Sequence, residues 1–221
     1  MERIWLKHYP AGVPADIDPD KYQSIRDLFE EGVAKFGNRP AYYCMGKEIT
    51  FADVDRMSNG FGAWLQAQGL QKGDRVALMM PNVLQYPVAL FGVLRAGMIV
   101  VNVNPLYTPR ELEHQLVDSG AKAIVILENF AHTLEQVIAK TPVKHVVVAA
   151  MGDLLGAAKG ALVNFVVRNV KKMVPAFEFD NGIQFNAMLA QAARMTLTRV
   201  EIKPDDIAFL QYTGGTTGLS K

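Results

Sequence analysis

Residues 206–221 read DIAFLQYTGGTTGLSK. The segment 206–211 is largely apolar and has the length of a buried strand. The remainder contains three glycines and three threonines, followed at the end by Lys221. Because glycine backbones and threonine hydroxyls let donor groups approach an anion closely, the stretch predicts a strand leading into a polyphosphate-binding loop. The residues alone leave a plain turn after a strand equally open.

The spacing of the glycines separates this loop from the Walker A loop. Gly214 and Gly218 lie too close together, and Gly218 is followed by Leu219 rather than by lysine. The pattern Tyr-Thr-Gly-Gly-Thr-Thr-Gly-x-x-Lys at 212–221 instead resembles the phosphate loop of the adenylate-forming enzymes. That superfamily includes acyl-CoA synthetases, luciferases and the adenylation domains of peptide synthetases. The resemblance implies that the loop holds the β- and γ-phosphates of ATP.

The resemblance also implies a role for each residue of the loop. The hydroxyl of Thr213 is a candidate oxygen ligand for Mg²⁺, and Lys221 is expected to reach the terminal phosphate. Thr216 and Thr217 are expected to bond phosphate oxygens, and the glycines allow the tight backbone. The predicted ATP-binding set is Thr213, Gly214, Gly215, Thr216, Thr217, Gly218 and Lys221. No complete catalytic set is predicted within the chain.

Composition sets wide bounds on the class of protein. The 221 residues are 50% hydrophobic, and 23 Lys and Arg nearly balance 22 Asp and Glu, which gives no argument for nucleic-acid binding. The single Cys44 excludes an internal disulfide and fits a reducing compartment. The N-terminus lacks the apolar core of a signal peptide, and no uncharged run reaches the ~18 residues of a membrane span. A cytoplasmic globular protein is expected.

Between residues 24 and 149, helical and strand patterns alternate with short links. This alternation predicts right-handed crossovers and an α/β fold, with a mostly parallel sheet covered by helices on both faces. Phe61 and Trp64 are predicted to lie in the core, on a helix capped by Thr50. Strands are expected at 41–44, 48–51, 76–80, 98–103, 123–127 and 145–149, and helices from Ser24 and at 84–95, 109–119 and 132–139.

The resemblance extends over essentially the whole chain. Residues 94–105, LRAGMIVVNVNP, resemble the second core motif of the superfamily, which is interpreted as scaffold. The runs 77–82 and 85–92 and the Thr-Gly-Gly at 213–215 are similar to the bacterial long-chain fatty acid-CoA ligases. This similarity implies ATP-dependent activation of a fatty acid through an acyl-adenylate, followed by thioester formation with coenzyme A.

The later motifs of the superfamily all follow the phosphate loop. Residues 1–221 are therefore expected to form an incomplete N-terminal AMP-binding domain, part of the large N-terminal domain of such an enzyme. The rest of that domain and the C-terminal domain are expected to lie outside the chain, which alone is expected to be inactive. Two alternatives remain, namely a ligase for a shorter or aromatic acid and an inactive fragment acting as a binding module.

The segment from Ala157 to Val174 suggests a second role. On a helix, Asn164, Arg168, Lys171 and Lys172 share one face, and apolar residues cover much of the rest. A basic amphipathic helix can lie on an anionic membrane surface, so peripheral contact with the inner face of the cell membrane is a hypothesis. An ordinary surface helix packed on its own domain is the interpretation that the residues alone favour.

Overall fold

A computed structural model describes residues 2–213 of the protein. After a short 3-10 helix at Ile4–His8, the chain forms a helix, a hairpin and a second helix from residue 25 onward, as predicted. The Ser24 side chain accepts a hydrogen bond from the Asp27 N–H and starts the first helix, and Thr50 and Asp53 form a capping box at the second. These elements are α1 (Ile25–Phe36), the antiparallel strands β1 (Pro40–Cys44) and β2 (Lys47–Thr50), and α2 (Phe51–Ala67).

A six-stranded sheet forms the centre of the described structure. Its strands are β3 (Arg75–Met79), β4 (Ile99–Asn102), β5 (Ala123–Leu127), β6 (His145–Ala149), β7 (Gly182–Gln184) and β8 (Phe209–Gln211). They are arranged in the order β7-β6-β5-β3-β4-β8, and every neighbouring pair is parallel. The predicted parallel sheet is thus confirmed.

Helices cover both faces of this sheet. Successive residues of a strand point to opposite sides, so a strand that is apolar throughout presents apolar side chains to both layers of helices. Val76 and Leu78 pack beneath α1, α2 and two further helices, whereas Ala77 and Met79 pack on the opposite side. The remaining helices are α3 (Gln85–Arg95) and α7 (Phe185–Ala192) on the first face, α4 (Pro109–Ser119) and α5 (Ala131–Glu135) on the second, and α6 (Ala157–Phe165).

Three predicted boundaries were wrong. The strand expected at 206–211 is limited to β8, because the Asp206 carboxylate accepts the Lys203 N–H in a turn and pairs with Lys72 at 2.6 Å. The helix expected at 132–139 is only α5, followed by a short 3-10 turn at Ile138–Lys140. Beyond α6 the segment expected to be helical continues as a π-helical turn, Val166–Val170. The short strand β7 and helix α7 were not predicted.

The contact between α2 and α3 is unusually close because glycines lie at the crossing. A Cβ atom placed on Gly92 would lie 2.7 Å from Cδ1 of Phe61 and 2.9 Å from the carbonyl oxygen of Ser58. Phe61 and Trp64 are buried beside this crossing, which confirms their predicted place in the core. The crossing leaves no space for a side chain at Gly92.

Candidate functional site

The end of β8 lies at the sheet edge where α/β proteins bind ligands. β8 runs parallel to β4 with Asn102 opposite Gln211, so the carboxyl ends of both strands lie together. Ligands of open α/β sheets bind outside the carboxyl ends of the strands. Thr213 follows two residues after β8 and is exposed. The sequence of the predicted phosphate loop therefore begins at this edge.

Of the predicted ATP-binding residues, the structure describes Thr213 alone. Gly214, Gly215, Thr216, Thr217, Gly218 and Lys221 lie outside the described residues. Within residues 2–213, no three His, Cys, Asp or Glu side chains cluster in a way that could hold a metal ion. The predicted role of the Thr213 hydroxyl as an oxygen ligand of Mg²⁺ stays a prediction.

A chain of hydrogen bonds links the end of β8 to the sheet and to α3. The Tyr86 hydroxyl donates to Oδ1 of Asn102 over 2.8 Å, and Nδ2 of Asn102 donates to Oε1 of Gln211 over 2.9 Å. The amide nitrogen of Gln115 donates to the backbone carbonyl oxygen of Asn102 over 2.8 Å. Asn102 therefore joins β4, α3, α4 and β8 at one point.

Tyr212, the first residue after β8, attaches the chain to helix α4. Its hydroxyl donates to the Asp118 carboxylate at the end of α4, and its ring packs with Leu210 on the core beneath that helix. Burial, followed by the hydrogen bond to Asp118, raises the pKa of Tyr212 to about 12. The phenol therefore stays protonated at neutral pH and keeps its donor role.

From the sequence, Tyr86 and Asn102 were not assigned to the site. Asn102 was included in a motif interpreted as scaffold, and Tyr86 in a run used only for resemblance. A usable signal was present, because a polar residue that ends an apolar parallel strand lies at the ligand edge of the sheet. Asn102, at the end of Ile99–Asn102, is such a residue.

The segment beginning at α6 is attached to the domain through its small and polar residues. A Cβ on Gly160 would lie 2.5 Å from the carbonyl oxygen of Gly152, so the two backbones are in direct contact. The Asn164 side chain accepts the Gly152 N–H over 2.7 Å. Asn164 therefore faces the domain, not solvent as on the polar face of a membrane-surface helix.

Arg168 forms a bidentate ion pair with a buried carboxylate. Its Nε and Nη2 atoms approach the carboxylate oxygens of Glu128 at distances of 2.7–3.1 Å. The Glu128 side chain is only 3% exposed, so its charge depends on this partner. The guanidinium is thus paired with a buried carboxylate, although the Arg168 side chain itself remains 44% exposed.

The outward surface of the same segment carries large apolar side chains together with the exposed Arg168 and Asn169. Four side chains, Leu162, Phe165, Val170 and Met173, are each more than half exposed. Lys171 and Lys172, which lie between Val170 and Met173 in the sequence, are also exposed. Apolar side chains next to lysines are typical of surfaces that meet an anionic bilayer. No helix within the described part of the chain is both long enough and apolar enough to cross a membrane.

Comparison with known proteins identifies the family. The family described as AMP-binding enzyme matches residues 29–221, and the chain therefore belongs to it. Over its whole length the chain is 60% identical to a long-chain-fatty-acid–CoA ligase of Escherichia coli O157:H7 and to one of Yersinia pestis. It spans 40% of the length of each of these relatives.

Solved structures share the fold. The anthranilate CoA ligase AuaEII in complex with anthranoyl-AMP matches 92% of this chain with a TM-score of 0.74 at 21% identity, and this chain covers 35% of that one. The predicted α/β fold, a parallel sheet with helices on both faces, is confirmed, and the anthranilate CoA ligase shares it.

Proposed function

We propose that the chain is the N-terminal part of the AMP-binding domain of a long-chain fatty acid-CoA ligase. The observation that carries this proposal is the 60% identity to such ligases over an alignment that covers the entire chain. The 40% coverage of those relatives supports a longer protein, in which the remaining part of the domain and a C-terminal domain follow. Residues 1–221 alone are proposed to be inactive.

The proposed reaction has two steps. An oxygen of the fatty acid carboxylate bonds to the α-phosphorus of ATP, and the bond to the β,γ-pyrophosphate breaks, which releases pyrophosphate and leaves an acyl-adenylate. The sulfur of coenzyme A then bonds to the acyl carbon, its proton is released, and AMP leaves. The first step requires a triphosphate whose leaving group is held and neutralised in a fixed orientation.

In this proposal the loop residues supply that orientation. Backbone N–H groups at Gly214, Gly215 and Gly218 and hydroxyls at Thr216 and Thr217 bind the β- and γ-phosphates, and Lys221 adds positive charge. The Thr213 hydroxyl would supply one oxygen ligand to Mg²⁺, which neutralises phosphate charge when bound. β8 positions the start of the loop at the ligand edge of the sheet.

Assays of the full-length protein with acids of different size test the proposal. AMP formation from ATP and coenzyme A would be measured with oleate, with acids of graded shorter length and with benzoate. The proposal expects the highest kcat/KM with oleate. Higher kcat/KM for a short or aromatic acid would favour the alternative ligase, and the absence of AMP with every acid would favour a binding module.

We further propose that the outward surface of the α6 segment contacts the anionic surface of the cell membrane. Two polar side chains of the segment, Asn164 and Arg168, are already bonded to the domain, through the Gly152 N–H and the Glu128 carboxylate. The exposed apolar side chains and the adjacent lysines match a surface of acyl chains and anionic headgroups. A protein that takes up fatty acids has a physical reason to bind such a surface.

Replacing Lys171 and Lys172 together with glutamine is expected to weaken binding to vesicles containing phosphatidylserine. Each lysine near an anionic surface contributes about 1 kcal/mol, so the double variant should bind roughly 30-fold more weakly. Sedimentation of the full-length protein with vesicles at two salt concentrations measures this effect. The double replacement of Lys35 and Lys144, which are exposed elsewhere, is the matched control. Equal binding by both variants would contradict membrane contact through this segment.

A further inference from the structure

We propose that Asn102 is a positioning residue for the ATP-binding loop, and that it acts through Gln211. This inference rests on the proposed function, because it assigns to Asn102 the task of orienting the loop that follows β8. Asn102 lies at the end of β4, and Gln211 is its register partner and the last residue of β8. Neither residue is proposed to touch the reacting atoms.

The carboxamide of Asn102 is held at both ends. Its oxygen accepts the Tyr86 hydroxyl, and its nitrogen donates to the Gln211 side chain. A flip of the amide would place two donors against each other at Tyr86 and two acceptors against each other at Gln211 unless both partners also rearranged. The orientation of Asn102 therefore fixes the orientation of Gln211.

The anchors behind Asn102 belong to rigid elements. Tyr86 lies in the first turn of α3, the helix that packs without a gap against α2 at Gly92. Gln115 is buried in α4 and holds the backbone carbonyl of Asn102. Side chains fixed by packed helices hold a site more closely than side chains on loops do. The network thus fixes the end of β8 relative to α3 and α4.

β8 needs this support because it is short and paired on one side. It contains three residues, and among the described strands it pairs with β4 alone. Gln211 is exposed, so few packing contacts hold it. The link to Asn102 lies only two residues before Thr213. A shift at Gln211 would therefore pass directly into the loop that orients the triphosphate.

Four variants of the full-length protein test this role. Asn102→Leu and Gln211→Met each remove the side-chain link. Asn104→Leu is the control, because the Asn104 side chain accepts the N–H of Leu106 within its own turn. The variant that carries both Asn102→Leu and Gln211→Met completes a double-mutant cycle. The readouts are kcat/KM for ATP in pyrophosphate release, KM for oleate, and the ATP dissociation constant from calorimetry without any acid.

Each single link variant is expected to lower kcat/KM for ATP by roughly 10- to 100-fold, because a small misplacement of an orienting group has effects of this size. The double variant should be no worse than the worse single variant, since both changes remove the same link. KM for oleate should stay within about twofold of wild type, as should every value for Asn104→Leu. Unchanged ATP kinetics, or single losses that multiply in the double variant, would overturn the proposal.

Calorimetry separates this inference from the ligase proposal. If wild type binds ATP but releases no pyrophosphate with any fatty acid, the ligase proposal fails and the positioning role is judged on ATP affinity. Weaker ATP binding by Asn102→Leu and Gln211→Met, with Asn104→Leu unchanged, would still support the role. Equal ATP affinity in all three variants would overturn it.

Discussion

Lys221→Ala in the full-length protein is expected to slow pyrophosphate release in a single turnover by roughly 30- to 1,000-fold. A positive group that contacts a developing pyrophosphate stabilises the transition state by about 2 to 4 kcal/mol, by analogy with single oxyanion donors. Because the lysine charge acts on the leaving group as it gains negative charge, the loss should appear in the rate of the chemical step.

The control for this experiment is Lys47→Ala, which removes an exposed lysine from β2. Thr216→Ala should slow the same step by removing one hydroxyl donor, and rapid quenching with measurement of pyrophosphate gives both rates. Rates equal to wild type for both Lys221→Ala and Thr216→Ala would contradict the assignment of residues 213–221 as the phosphate loop.

Gly92→Ala is expected to lower the free energy of unfolding by about 1 to 3 kcal/mol, the usual effect of overpacking a core. The added methyl group would meet Cδ1 of Phe61 at 2.7 Å and the Ser58 carbonyl at 2.9 Å. Backbone atoms cannot rotate away, so α3 must move from α2. The thermal unfolding midpoint of the full-length protein measures the loss.

Gly32→Ala is the matched control for Gly92→Ala. Gly32 also lies inside a helix, but a Cβ there would meet only Cε1 of Phe51, at an ordinary 3.7 Å. Alanine in a helix interior is favoured over glycine by about 0.5 to 1 kcal/mol. Gly32→Ala should therefore raise the unfolding midpoint. Equal shifts in both variants would show that the crossing of α2 and α3 tolerates a side chain.

Elements with local signals could be predicted closely from the sequence. Thr108 and Glu111 form a capping box with Pro109 between them, and Gly120 ends the helix in a left-handed conformation, so the bounds of α4 were predicted correctly. β5 was equally clear, because Ala123–Leu127 is a short apolar run that ends where a turn begins. Capping and hydrophobic periodicity depend on residues that are close in sequence, so both can be recognised without a structure.

Features set by distant contacts could not be predicted in this way. Arg168 has the spacing of a surface cation, but its partner Glu128 lies 40 residues earlier and is buried by the fold. Asn102 and Gln211 meet only because β8 pairs with β4. The site loop itself was inferred from family resemblance, and its residues 214–221 remain a prediction because they lie outside the described residues.

The distance in sequence between β4 and β8 has a consequence for synthesis on the ribosome. Asn102 and Gln211 are separated by 109 residues. At about 5 to 20 residues per second, roughly 5 to 20 seconds pass between the translation of the two. During that interval the outer edge of Ile99–Asn102 is an open, apolar strand edge on a nascent chain. The arrival of β8 covers this edge, so the strand that leads into the loop also ends a period of exposure to aggregation.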